Sequence, residues 1–213
     1  MLKFMRGPAA AREGFVLENW MSLFYVRPVA PHVVVNALFL YSFLGWMMEC
    51  VVIRLERGVW ENRGFVHLPL CIIYGFGAIL GYALLRPFSA NLAVLYVAGA
   101  VMATAFEYLT ARLMLHFFGT LWWDYTNHRW NYKGILCLQS TLGWGVIAVL
   151  LFVGMHRAVF GVVARIPPNI GAALAFALVC AYALDFGLSM RRAVQRADAQ
   201  PSGCAHGEGR IAK

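Results

Sequence analysis

The chain has 213 residues, of which 61% are hydrophobic and only 13% charged, with a formal net charge of +8 and a mean hydropathy of +0.65. A soluble domain averages about 25% charged residues, so the composition excludes an ordinary soluble enzyme and points to membrane spans of roughly 20 residues each. The basic residues cluster at the ends of apolar runs rather than along one helix face, which suits lipid headgroups and topology and argues against nucleic acid as a partner.

Residues 1–13 hold no hydrophobic stretch, so no cleavable signal peptide is expected. Gly14–Val26 is too short to span and carries Glu18 and Asn19; it reads as an interfacial helix with Trp20, Phe24 and Tyr25 near the headgroups. Residues 1–32 are therefore an N-terminal interfacial segment. Five apolar segments follow, near Val33–Leu55, Leu68–Leu85, Ala90–Phe117, Ile135–Phe160 and Asn169–Met190. They predict an all-α, polytopic bundle of about five transmembrane helices over residues 33–190. The second segment is short and carries Gly75, Gly77 and Gly81, residues that let membrane helices approach closely. From Arg191 to residue 213 the chain is polar and is expected to be a disordered tail.

Lys and Arg near the span ends set the orientation. Arg54, Arg57, Arg63, Arg129, Lys133, Arg191, Arg192 and Arg196 fall on one side, and Arg27, Arg86, Arg157 and Arg165 on the other. The bias places the first side, with the C-terminus, in the cytoplasm.

Cys50, Cys71, Cys137 and Cys180 lie in or beside apolar spans, Cys204 lies in the tail, and no CxxC spacing exists; they read as buried apolar thiols. The six histidines show neither HExxH nor helical ligand spacing, so no metal, haem or other cofactor is expected. The chain carries no GxxxxGK[ST] phosphate loop.

Glu49 and Glu107 each sit inside an apolar run. A carboxylate at membrane depth costs roughly 2.5–3.5 kcal/mol on insertion scales and usually faces a protein interior or a wet cavity. Ser42, Gly45 and Glu49 share one helical face with Trp46 beside them. Ala100, Ala103, Thr104, Glu107, Thr110 and Ala111 form a small, partly polar stripe, which faces other helices rather than lipid. The bland reading pairs these acids with Arg63, Arg112 or backbone groups as helix glue. Asp185 is a third acid, expected near the interface and facing Arg192 seven residues on.

The first two spans overlay the next two. Glu49 is followed by Asn62-Arg63-Gly64, Leu70-Cys71 and Gly75-Phe76-Gly77; Glu107 is followed by Asn131-Tyr132-Lys133-Gly134, Leu136-Cys137 and Gly143-Trp144-Gly145. Such an order predicts a two-helix parallel internal repeat, related by an axis along the membrane normal. Chance alignment of common membrane residues is the alternative. In the second loop, Trp122, Trp130 and Tyr132 read as an interfacial belt. Asp124 either caps the loop or binds a cationic group among ring faces.

The segments FLYSFLGWMMEC (Phe39–Cys50), ENRGF (Glu61–Phe65), IYGFGA (Ile73–Ala78), FEYLT (Phe106–Thr110), WWDY (Trp122–Tyr125) and GILC (Gly134–Cys137) resemble the bacterial integral-membrane family of ABC-transporter permease type, also called CmpB. The resemblance covers roughly Leu38 to Val153. It implies a multi-pass permease of the bacterial inner membrane. Without a phosphate loop in this chain, it implies a separate ATPase subunit as partner. Membrane lipids are the other expected partner, and so small a bundle invites homo-oligomerisation.

The leading reading is a transport-type membrane protein. Glu49, Arg63, Glu107 and Asp124, with Asn62 and Asn131, line a polar cleft whose carboxylates bind a cation or relay protons. The alternative is a membrane-embedded enzyme or lipid-binding protein acting at the headgroup interface, where two acids, a basic residue and amides supply acid–base chemistry. No nucleophile, and so no catalytic residue, is identifiable.

Overall fold

The computed structural model describes residues 29–198 apart from Arg63 and Trp122. The expected interfacial helix at Gly14–Val26 lies outside the described residues. Six α-helices follow in order: α1 (Pro31–Arg57), α2 (Ile72–Leu85), α3 (Leu92–Phe118), α4 (Leu138–Leu150), α5 (His156–Val163) and α6 (Pro168–Asp198). A π-helical turn, Leu151–Met155, joins α4 to α5, so the two act as one span over Leu138–Val163. The described residues thus hold four helices of 25 to 27 residues long and apolar enough to cross a membrane, plus the shorter apolar stretch Ile72–Phe88. At 1.5 Å per residue the long helices reach about 40 Å, more than a hydrocarbon core of about 30 Å.

The boundaries follow local chemistry. Pro31 occupies the first turn of α1, and Gly58, at φ 75°, closes it with its N–H on the Arg54 carbonyl. Arg54 and Arg57 in the last turn complement the helix dipole. The Asn91 side chain caps α3 by accepting from the N–H groups of Ala93 and Val94. Three boundaries differ from the sequence expectation. Leu68–Cys71 precedes α2. Leu136–Cys137 pairs with Asn131–Tyr132 as a two-residue antiparallel ladder before α4. α6 continues to Asp198, so the helix runs on through residues 191–198, where a tail was expected.

α1 packs on α2, α5 and α6, while α3 and α4 form a second antiparallel hairpin that meets the first through α2. Short turns join α2 to α3 and α5 to α6. The two long loops, 58–71 and 119–137, therefore emerge on the same side, together with the end of α6. Both hairpins run in the same sense, as a parallel repeat requires. Ala37, Tyr41, Leu151, Val159 and Val163 form a core between α1 and the span made by the π-helical turn and α5, and Leu85, Leu95 and Ala148 a second one where α2, α3 and α4 meet. Gly75 is required by close approach: a Cβ there would stand 2.5 Å from the Leu38 carbonyl oxygen and the Ser42 hydroxyl. Large apolar side chains such as Val97, Val101, Leu109 and Phe117 on α3, and Phe176 and Leu184 on α6, are exposed around the outside, as lipid-facing helices demand.

Candidate functional site

The small-residue stripe on α3 meets α4 along its length. Thr104 Oγ1 donates to Thr141 Oγ1 at 3.0 Å, Gly99 abuts Ala148 and Gly145 abuts Tyr96. In this register Glu107 lies beside Ser140 and Trp144, which are four residues apart on one face of α4. Ser140 Oγ stands 3.0 Å from Glu107 Oε2 and 3.2 Å from Oε1. Trp144 Nε1 donates to Oε2 at 3.1 Å, and the Tyr125 hydroxyl, from the second loop, donates to Oε1 at 3.0 Å. Glu107 is only 7% exposed. Among the described residues no Lys or Arg pairs with it, Arg112 included. Burial, then the neighbouring Glu107 carboxylate, pushes the Tyr125 phenol up from its usual range, so Tyr125 stays a neutral donor.

A cage of this kind tolerates two protonation states. Trp144 can only donate and holds Oε2 as an acceptor. The hydroxyls of Ser140 and Tyr125 both donate and accept. They satisfy the carboxylate when it is ionised and can take a proton from it when it is not.

The first hairpin builds a related pocket. Ser42, Gly45 and Glu49 all face α2, as their spacing predicts. The Ser42 carbonyl accepts from Cys71 N at 3.0 Å, Gly45 lies under the Tyr74 ring, and the Tyr74 hydroxyl donates to Glu49 Oε1. The Tyr74 ring in turn contacts Trp144, with centroids 5.9 Å apart. The donors of the two carboxylates touch, and the two acids lie within electrostatic range of one another.

The loop residues have a different job. Asn62 Oδ1 accepts from Gly64 N (3.1 Å) and Trp46 Nε1 (2.8 Å), and Nδ2 donates to the His67 carbonyl. Asn131 repeats the pattern: Oδ1 accepts from Gly134 N at 3.0 Å, and Nδ2 donates to the carbonyls of Thr126 and His128. Asn131 thereby ties down a turn with left-handed φ values at Trp130, Lys133 and Gly134, two of them non-glycine and costly. Asp124 takes the capping role, accepting from the N–H and hydroxyl of Thr126. None of these three side chains contacts a carboxylate. Arg63 lies outside the described residues.

Cys71 and Cys137 hold equivalent places, each at the N-cap of the second helix of its hairpin, and Cys137 Sγ accepts from Ser140 N. Gly-aromatic-Gly does not superpose in the same way. The tight glycine is Gly75 in the first hairpin and Gly145 in the second, and Gly143 meets nothing within 4 Å.

Asp185 and Arg192 share a face, but His67 stands between them. Asp185 accepts from His67 Nδ1 (2.9 Å) and Leu68 N (2.7 Å), and Arg192 Nη1 meets His67 Nε2. This staples the first loop to α6. Sequence reasoning passed over the carboxylate donors Tyr74, Tyr125, Ser140 and Trp144, although WWDY contains Tyr125 and the i, i+4 spacing of Ser140 and Trp144 was legible. It also passed over a buried pair on the opposite side of the bundle, where the Tyr41 hydroxyl lies 2.8 Å from His156 Nδ1 directly after the π-helical turn.

A comparison with known families gives one match. The family model described as "Putative ABC-transporter type IV" (CmpB) covers residues 37–190. Nothing matches among the curated proteins or the solved structures. The matched region takes in both hairpins and most of α6, and the chain belongs to this family of multi-pass, transport-type membrane proteins.

Proposed function

We propose that this member of the ABC-transporter type IV family is the membrane-embedded part of a transport system in the bacterial inner membrane, and that Glu107, assisted by Glu49, binds a cation or carries a proton inside the bundle. The observation that carries the reading is the Glu107 cage: a buried carboxylate served by neutral donors from the second loop and α4. A carboxylate serving only as helix glue is best satisfied by a fixed cation, because breaking a buried pair strands a charge. A carboxylate among hydroxyls keeps its freedom to change charge. The contact between Tyr74 and Trp144 gives the second acid a route to influence the first.

The chain carries no phosphate loop, so ATP-driven transport would take its energy from a separate ATPase subunit. Asn62, Asn131 and Asp124 act by holding the loops that close over the acids.

Glu107→Gln tests the reading. The amide fits the cage, accepting from Trp144 through its oxygen and donating to the hydroxyls through its nitrogen. The expected result is a protein that melts in mild detergent close to the wild type but fails to complement a strain lacking the gene. Full complementation by a stable variant would remove Glu107 from the site. A large loss of stability would assign it a structural role.

A further inference from the structure

The span made by α4 and α5 carries a second buried titratable group, which the Glu107 cage does not use. His156 follows directly on the π-helical turn Leu151–Met155. It is 5% exposed, and its partner Tyr41 on α1 is 3% exposed. The Tyr41 hydroxyl lies 2.8 Å from His156 Nδ1. A hydroxyl donates to a bare Nδ1 and accepts from a protonated one, so the bond survives a change of charge on the ring. Two aromatic rings cover the imidazole: Tyr82, with centroids 3.5 Å apart and planes 7° from parallel, and Phe160 at 4.4 Å. Ring faces favour an imidazolium. Arg86, one turn beyond Tyr82 on α2 and within electrostatic range of it, opposes one, so a proton taken up there is readily given back. Arg157, the next residue on α5 itself, is exposed.

This pair stands in the other leaflet from the acids, away from the two long loops. Tyr41 lies eight residues before Glu49 on α1, and Tyr82 eight residues after Tyr74 on α2, a rise of about 12 Å in each case. His156 lies twelve residues after Trp144, about 18 Å at the same rise. The separation is about half of a hydrocarbon core of about 30 Å. Leu44, Ala78, Ile79, Leu151 and Phe152 fill the layer between the two sites. The Glu107 cage indicates which ion is at stake. A hard metal cation needs about six oxygen ligands, whereas Trp144 and Tyr125 turn hydrogens toward the carboxylate, and the indole N–H has no lone pair to offer.

Building on the role proposed for Glu107, we propose that the carried ion is the proton and that His156, positioned by Tyr41, is its second binding group, in the leaflet opposite Glu107. Each site is satisfied both with and without its proton, and the apolar layer between them prevents a free leak. One proton enters at one site and leaves at the other, and both groups return to their starting state. The π-helical turn lies within that layer, on the span that joins Trp144 to His156, and such turns inside α-helices often mark functional sites.

The test is proton flux into vesicles holding the full-length protein and a trapped pH-sensitive dye, driven by a potassium diffusion potential. The expected result is flux severalfold above protein-free vesicles and independent of sodium. His156→Gln and Glu107→Gln should each abolish it, and Tyr41→Phe, which keeps the ring packing, should slow it severalfold. Arg157→Gln should leave it unchanged. His156→Gln should melt close to the wild type; if it unfolds instead, Tyr41→Phe decides, and wild-type flux in that variant would overturn the second site. Flux that needs Glu107 but survives His156→Gln would overturn the second site and leave the first standing. Wild-type vesicles that pass sodium, or no ion, in place of protons would overturn the choice of proton, while complementation by Glu107→Gln tests the acid separately.

Discussion

The two hairpins share a scaffold and differ in what they do to their acids. In both, an Asn side chain closes the loop through a Gly N–H, and a Cys occupies the N-cap of the returning helix, with a side-chain bond to the helix only from Cys137. In the first, Glu49 is half-buried and accepts from Tyr74 on α2. In the second, Glu107 is buried and held by three donors from two segments. The longer second loop makes the difference, since it brings Tyr125 back over α3. The scaffolding is duplicated, and the difference between the two acids that bears on the proposed chemistry is the deeper burial of Glu107.

Truncation should show the largest asymmetry. Glu107→Ala strands Tyr125, Ser140 and Trp144 in a buried place, at about 1–3 kcal/mol for each unsatisfied donor that water does not reach. A total loss of about 2–5 kcal/mol is expected in detergent melts. Glu49→Ala, at a half-buried position, should cost about 1–2 kcal/mol on the same reasoning. Equal losses would break the distinction between the two pockets.

The glycines give the next largest contrast. Gly75→Ala drives a methyl against the Leu38 carbonyl and the Ser42 hydroxyl and should cost about 1–3 kcal/mol through overpacking. Gly143→Ala enters open space and should be neutral, or stabilising by up to about 1 kcal/mol through helix propensity. A destabilising Gly143→Ala would restore the Gly-aromatic-Gly equivalence that the packing denies.

Asn62→Ala and Asn131→Ala should resemble one another. Each removes a side chain serving three polar groups, for about 1–2 kcal/mol, and Asn131→Ala should fall at the upper end because its turn has more left-handed residues. A silent change at either position would sharpen the comparison by confining the repeat to the helices.

Among the polar side chains the smallest loss is expected for Tyr125→Phe, about 1 kcal/mol for one hydrogen bond. The phenol's raised folded-state pKa makes its contribution constant below the unfolded value of about 10 and lost only as pH climbs through the folded value. The melting difference between wild type and variant should therefore be flat across neutral pH.

Much of this was legible in the chain. Run length and span-end charges located the helices, and the repeated order of Glu, Asn, Gly and Cys located equivalent places in two hairpins. The spacing of Ser42, Gly45 and Glu49 gave the face that meets α2. What could not be read were partners set by the register between helices. Ser140 and Trp144 become ligands of Glu107 only because Gly99 lies on Ala148 and fixes how α3 slides along α4. Asp124 stood out in sequence by its charge, yet its neighbour Tyr125 reaches the acid and Asp124 caps the turn. His67 joins Asp185 to Arg192 across more than a hundred residues, a contact no periodicity encodes. The composition likewise hides the π-helical turn before His156.

The central claim is that Glu107 changes its protonation or charge state inside the bundle. Infrared difference spectroscopy on the reconstituted protein, taken across a pH step, reads that change directly. The account predicts a carboxylic-acid carbonyl band that appears on acidification in the wild type, is missing in Glu107→Gln, and shifts in Trp144→Phe, where the donor to Oε2 is gone. A spectrum with no such band, or one identical in the wild type and Glu107→Gln, would contradict it.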